Sequence, residues 1–304
     1  MQVRKKIKQS CSIGVMAYNE EANIGKLLHA LVQQKVRCCH LREIIVVASG
    51  CTDRTVAISN QWAERDHRIT VLVQEKREGK ASAINLFIKH AHASDVLVLE
   101  SADTLPADEN TIEHLIRPIV ENSEFGMTGA HPVPINSSDC FLGFVVRLQW
   151  KLHHRIAMIF PKLGELVAFK NVIEGIPADT AVDEACIESL IIRQKYSLKY
   201  VAEAIVYNKG PETIKDFLTQ RRRIAAGHHH LCQTQQYAVS TYNPFRIMRE
   251  LLHELVWSPK TLVWTVAAIL LEAYGHLLGV VDFYIKKKNP FTWNIATTTK
   301  TLGV

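Results

Sequence analysis

The sequence predicts an α/β fold whose first half is a parallel, doubly wound sheet. Three observations point there. Short apolar, β-branched runs alternate with stretches whose apolar residues recur at helical spacing, and the connections are brief. Each run ends in small or polar residues, the place where an open α/β sheet holds its ligands. One run, Val96 to Leu99, ends in two acids, Glu100 and Asp103, before Pro106. Acids at a strand end can hold a divalent cation, and the cation can hold a diphosphate. A solvated acidic turn is the plain alternative.

The elements follow in order. Ile13 to Tyr18 reads as the first strand. Asn19 can cap the helix that follows, with Glu20 and Glu21 in its first turn. Ile24, Leu27, Leu28, Leu31 and Val32 recur at helical spacing. Glu43 to Ala48 is a second buried strand, and Ser49-Gly50-Cys51-Thr52-Asp53-Arg54-Thr55 a small, polar turn before a second helix. Ile69 to Val73 is a shorter strand, nearer an edge. Gly79-Lys80 introduces a helix from Ala81 to Ile88, and Val96 to Leu99 is the fourth strand. No GxGxxG follows the first strand and no GxxxxGK[ST] occurs, which argues against dinucleotide-binding and P-loop domains.

Four motifs in this order resemble family 2 glycosyltransferases of the GT-A fold: Met16-Ala17-Tyr18-Asn19-Glu20-Glu21, Val46 to Asp53, Gly79-Lys80 with Ala83 and Asn85, and Ser101-Ala102-Asp103. The resemblance implies a GT-A, Rossmann-like mixed sheet. It implies donor contacts from Ala17, Asn19, Glu20, Ser49, Asp53, Lys80, Ser101 and Ala102, with a UDP-linked sugar as the expected donor. Asp103 would bind Mg2+ or Mn2+. The family's DxD appears here with serine in its first place, and Glu100 is the acid that could compensate. One residue early on a strand, it should face the other side of the sheet.

In the second half, Gly126 to Pro134 reads as a strand closed by a rigid turn. Phe141 to Ile159 is helical in pattern, with Trp150 and basic residues among the apolar ones, as suits either a membrane interface or packing on the sheet. His153 and His154 are adjacent, so on a helix they point apart. Lys162 to Lys170 resembles the segment preceding the acceptor site in some family members, which places Glu165 and Trp150 on the acceptor side. Val182-Asp183-Glu184-Ala185-Cys186-Ile187 matches the acidic motif carrying the catalytic base. The family pattern of two acids, two residues and an aliphatic puts the base at Glu184; a shift by one gives Asp183. Inverting transfer needs such a carboxylate to deprotonate the acceptor hydroxyl. Tyr200 to Tyr207 is a further strand. Gln220-Arg221-Arg222-Arg223-Ile224 resembles the QxxRW motif of membrane-associated members, with isoleucine for tryptophan, and implies diphosphate contacts from Gln220, Arg222 and Arg223.

Beyond this, Phe245 to Val256 reads as an amphipathic helix. Leu262 to Ile285 is long enough to cross a bilayer, yet it carries Glu272, His276 and Asp282. Glu272, His276 and Gly279 share a helical face, which suits an interfacial helix, a hairpin or a homo-oligomer contact. The expected division is a catalytic domain over residues 1–230, with donor and acceptor halves meeting near residue 105, and a helical tail over 231–304.

Composition sets bounds. Of 304 residues, 47% are hydrophobic and 22% charged, which describes a folded chain with ample core. The net charge of +6 is scattered, without an arginine-rich arm or zinc-finger spacing, so nucleic acid is not an expected partner. Seven cysteines without a CxxC, and a basic start lacking an apolar run, imply a cytoplasmic catalytic part at a membrane surface. A nucleotide diphosphate sugar and a lipid or lipid-linked acceptor are the expected substrates. A non-catalytic GT-A scaffold and a sugar-nucleotide pyrophosphorylase are the alternatives; the second would want a glycine-rich basic loop where this chain has Asn19-Glu20-Glu21.

Overall fold

The computed structural model of the protein describes residues 9–287 and 297–303. The basic start, Met1 to Lys8, and Lys288 of the triple lysine lie outside them. The nucleotide half holds β1 (Ser10–Ala17), α1 (Ile24–Val32), β2 (His40–Ser49), α2 (Thr55–Arg65), β3 (Ile69–Gln74), α3 (Lys80–His90) and β4 (Val96–Ser101). There follow β5 (Leu105–Pro106), α4 (Thr111–Glu121), β6 (Phe125–Pro134), α5 (Phe141–Ile159), β7 (Leu166–Lys170), α6 (Asp183–Arg193) and β8 (Ser197–Asn208). Three long helices come last: α7 (Ile214–Gln235), α8 (Pro244–Glu254) and α9 (Pro259–Val280), the last continued by a π turn from Val281 to Ile285.

Among the described residues the strands form one eight-stranded sheet in the order β3-β2-β1-β4-β7-β6-β8-β5. Strands β3, β2, β1 and β4 are parallel, as expected, and β3 lies at the edge. The sheet as a whole is mixed because β7 runs antiparallel between β4 and β6. Its five residues pair Leu166 with Glu100, so Glu165 enters the sheet beside the end of β4.

Apolar side chains alternate to the two faces of each strand, which gives two cores. Val96 and Val98 join Ile13 and Val15 under α1 and α4, while Leu97 and Leu99 join Phe87 of α3. Gly14 is required here: a Cβ on it would lie 2.5 Å from the Phe87 ring. The expected boundary at residue 230 falls inside α7, which continues to Gln235. Helix α9 lies along α7, where Gly275 and Gly279 let the backbones approach; a Cβ on Gly279 would be 2.5 Å from Ala225 Cβ.

The acids of α9 and of the turn after it are paired with the protein. Glu272 accepts from Gln149 at 2.9 Å and pairs with Arg221 at 3.5 Å. Asp282 takes both prongs of Arg222, at 2.7 and 2.9 Å. Both acids of this stretch are therefore paired within the chain.

Replacing Gly14 with Ala should lower stability by about 1–3 kcal/mol through overpacking. Urea denaturation of this variant, and of a Gly14→Ala/Phe87→Leu pair that makes room, will check it; the pair should recover part of the loss.

Candidate active site

The loop after β1 is shaped by side chains of the loop after β2. Asn19 has φ 52°, a left-handed conformation that asparagine tolerates. Its side chain donates to Thr52 Oγ1 at 3.2 Å and accepts from the Thr52 amide at 2.8 Å. Asp53 accepts from the Glu21 amide at 3.0 Å and from Thr55 Oγ1 at 2.5 Å, and Thr55 Oγ1 accepts from the Glu20 amide at 2.7 Å. Asp53 is thus a brace of the pocket wall. Ser49 accepts from the Glu78 amide at 3.4 Å and steadies the loop leading to Lys80. Gly50, at φ 63°, lets that loop close in: a Cβ would sit 2.4 Å from the Arg77 amide nitrogen. Arg77 lies over the Tyr18 ring at 4.3 Å.

Glu20 is buried in this wall. Asn23 donates to it at 3.0 Å and Lys300 pairs with it, while Lys300 also donates to the Tyr18 carbonyl at 2.9 Å. Burial first, and then the nearby charge of Asp103, push the Glu20 carboxyl up to about 7, against the pull of Lys300. Sequence reading missed Lys300, since nothing local to it signals a return to β1. Leu302, buried, anchors the segment through its amide to Asn23 Oδ1 at 3.0 Å.

The second wall is built by β7, α6 and α7. Lys80, at the start of α3, donates to Glu184 at 2.7 Å and lies 3.9 Å from Asp183. Burial disfavours its charge, but the two carboxylates more than offset this and raise its pKa. The same pairing outweighs burial at Glu184 and holds that carboxyl low. Asp183 differs: burial dominates and pushes it up to about 6, and its Oδ1 has no hydrogen-bond partner. Glu184 leaves 20% of its side chain exposed to the opening and Asp183 only 3%. Both stand in the first turn of α6, where the helix dipole favours negative charge.

Arg223 on α7 feels Asp183 and Glu184, and burial lowers its pKa. Glu165, at φ 62°, is pushed up to about 7 by burial and by the charges of Asp103 and Glu184, and Asn208 bonds to it. Lys162, which the sequence reading named only as the start of a segment, is buried, and burial lowers its pKa against the pull of Glu188, Glu184 and Glu165. Its neighbour Leu163 is held by Glu188, whose carboxylate accepts the Leu163 amide at 2.5 Å and the Tyr237 hydroxyl at 2.8 Å.

The structure therefore brings Glu20, Asp103, Glu165, Lys80, Asp183, Glu184 and Arg223 around one opening, at the carboxyl ends of β1 and β4. Ala17, Ser101 and Ala102 lie at those strand ends, and the Ala102 amide donates to the Met16 carbonyl at 3.0 Å.

Three of the expected residues are engaged within the protein. Arg222 does not face this opening: one residue round the helix from Arg223, it is consumed by Asp282. Gln220 accepts from Arg221 at 3.4 Å. Glu100 is no available ligand, because it faces the Val96–Val98 side, accepts from Thr104 at 2.7 Å, and is pushed up to about 8 by burial. Trp150 packs edge-on against His153 at 5.1 Å, in a cluster where His154 stacks on His131 at 4.0 Å and bonds the Tyr200 hydroxyl at 2.9 Å. His153 and His154 both lie against the Tyr200 ring, at 6.0 and 5.6 Å.

Residues 12–139 match the family model described as "Glycosyl transferase family 2". This segment belongs to glycosyl transferase family 2. Curated relatives of the chain include poly-β-1,6-N-acetyl-D-glucosamine synthases. That of Staphylococcus epidermidis is 23% identical over 236 residues, covering 73% of this chain and 55% of the relative. That of Staphylococcus aureus strain COL is 25% identical over 227 residues, covering 70% and 53%. The chain thus spans about half the length of these relatives. A mannosyltransferase of Pyrobaculum calidifontis, solved with GDP-Man and Mn2+, superposes with a TM-score of 0.59 at 21% identity, over 92% of this chain and 81% of that one. Glucosyl-3-phosphoglycerate synthase of Mycobacterium tuberculosis, solved with Mn2+, UDP and glucosyl-3-phosphoglycerate, gives 0.53 at 15% identity, over 74% and 80%. The fold is GT-A. Glu165, Asp183, Glu184 and Arg223 all lie beyond the matched segment.

Among the described residues no three Asp, Glu, His or Cys side chains are grouped to cage a metal ion. A hard cation such as Mg2+ does not require one, since one or two carboxylates plus substrate phosphates hold it. Asp103, at the mouth and close enough to shift both Glu20 and Glu165, fits that demand.

Glu20, Glu100, Glu165 and Glu188 bind protons more tightly folded than unfolded. The stability they contribute is present below their unfolded values near 4.5 and is lost as pH rises through about 7 to 8. Stability of the protein without nucleotide should therefore fall between pH 6.5 and 8, above the unfolded value of the buried histidines, whose lowered pKa values act in the opposite sense below it. Thermal unfolding across that range should show a shallower fall in Glu100→Gln.

Proposed function

We propose that the chain transfers a sugar, with inversion, from a nucleotide diphosphate sugar to an acceptor hydroxyl or phosphate. The observation that carries this is the 2.7 Å contact of Lys80 with Glu184, which joins the matched nucleotide half to the acids of α6 across one opening. Glu184 is the proposed base. It is held ionised, it reaches the opening, and the acid-acid register favours it. Its carboxylate takes the proton of the acceptor oxygen as that oxygen bonds to the anomeric carbon and the carbon–diphosphate bond breaks. Asp183, walled in, holds Lys80 and Arg223 in place. Those two cations face the departing charge. Asp103 would hold the divalent cation, Mg2+ or Mn2+, that neutralises the diphosphate.

For the donor we propose a UDP-linked sugar, with UDP-N-acetylglucosamine first because the curated relatives are named for that sugar. For the acceptor we propose a lipid or lipid-linked sugar at the cytoplasmic face of a membrane; the apolar outer faces of α8 and α9 support this. Gln220 and Arg223 remain proposed donor contacts, and Glu165 and Trp150 proposed acceptor contacts.

Incubating the protein with labelled UDP- and GDP-sugars, Mn2+ and membrane lipid extract should yield labelled product with one donor. Failure to bind or hydrolyse any donor overturns the proposal. Glu184→Gln should lower turnover by roughly 10²–10⁴-fold while leaving nucleotide affinity within about threefold. If Asp183→Asn does this and Glu184→Gln does not, the base is misassigned. Asp103→Asn should weaken UDP binding in Mn2+ and leave binding in EDTA unchanged, as titration calorimetry will read.

A further inference from the structure

Helix α8 is amphipathic in the inverted sense. Its acids turn inward: Glu250 accepts from Arg155 of α5 at 2.6 Å, and Glu254 pairs with Arg155 at 3.2 Å and Lys151 at 3.6 Å. Its apolar residues turn outward at a spacing of three and four: Phe245 is 84% exposed, Met248 50% and Leu252 65%. Helix α9 repeats this. Glu272 and, just beyond it, Asp282 are spent on Arg221 and Arg222, while Val263, Val266 and Leu270 stand 66%, 57% and 66% exposed on the opposite side. A soluble helix buries the apolar side and wets the charged one; apart from the buried Leu251 and the exposed cations Arg249 and Lys260, both helices do the reverse.

We propose that α8 and α9 form a monotopic seat, lying flat in one leaflet of an anionic bilayer, and that α9 does not span it. Two observations choose this occupant over a second copy of the chain. Exposed cations rim the apolar surface: Arg249 on α8, Lys260 at the start of α9, and Lys286 and Lys287 after it, as anionic headgroups would want. Trp257, 84% exposed between the helices, and Tyr284, exposed at the far end, sit where interfacial aromatics sit.

The third observation decides between lying and crossing. The stretch Pro259–Ile285 is apolar and long enough to span. Its inner face, however, is locked to α7 through Gly275, Gly279 and the Glu272–Arg221 and Asp282–Arg222 pairs. Helix α7 also carries Arg223, which faces the catalytic acids. A crossing α9 would pull α7 and its arginines into hydrocarbon, or break these pairs. A flat α9 buries only the outward stripe, about 5–10 Å deep.

The seat rests on packing alone, so it stands apart from the transfer reaction. The full chain is floated with vesicles of phosphatidylcholine alone or with phosphatidylglycerol, and nucleotide binding is followed in parallel. The expected result is binding to the anionic vesicles, release by alkaline carbonate, and at least a tenfold loss in Val266→Asp/Leu270→Asp and in Phe245→Asp/Leu252→Asp. Arg249→Glu/Lys260→Glu, which leaves the apolar stripe intact, should lose the preference for the anionic vesicles. Val73→Asp, an exposed apolar residue on the sheet edge, should float like the parent. Retention through carbonate means a spanning helix and overturns the proposal. So does a stable dimer in lipid-free buffer with no vesicle binding, or equal flotation of the aspartate variants.

Discussion

Two adjacent carboxylates, Asp183 and Glu184, are buried together at the start of α6, where the ammonium of Lys80 and the guanidinium of Arg223 offset their charge. Unpaired, each would cost several kcal/mol to keep charged. Lys80 comes from a different part of the chain, at the head of α3 after Gly79, whose φ of 93° turns the loop inward. That contact ties the nucleotide half to the acceptor half. It also splits the pair: Glu184, which holds the direct bond, stays ionised, while Asp183 is pushed up to about 6. Glu184 thus holds the direct bond to Lys80, and Asp183 the longer contact at 3.9 Å.

The rest of the site follows from the β4–β7 pairing. An antiparallel strand inserted beside β4 delivers Glu165 next to Asp103 and leads, through the loop after it, to α6. The parallel half supplies a rigid wall, with Asn19 in a left-handed conformation pinned by Thr52, and Asp53 pinned by Thr55. Acids crowd this opening. Their raised pKa values record an environment waiting for positive charge, which a divalent cation at Asp103 would supply.

Helices α7 to α9 relate this chemistry to a surface. Consecutive arginines on α7 look three ways: Arg221 to Glu272, Arg222 to Asp282, Arg223 to the acids at the start of α6. The same helix therefore anchors α9 and closes the site, and the apolar outer faces of α8 and α9 lie on the far side of that anchor.

The sequence alone determined the strand–helix alternation, the edge position of β3, and the strand-end placing of Asn19, Ser49, Asp53 and Asp103, because burial periodicity and turn chemistry are local properties. It also left Asp183 and Glu184 as alternatives, since two neighbours in a helix turn are equivalent in one dimension. Only the tertiary structure separates their surroundings, because that depends on where Lys80 reaches: Glu184 takes its 2.7 Å bond and Asp183 lies 3.9 Å away. Only it could send Arg222 to Asp282, retire Glu100 behind Thr104, and bring Lys300 back to Glu20 from 280 positions away. Those outcomes turn on which face of an element meets which distant partner, and spacing along a chain does not encode it.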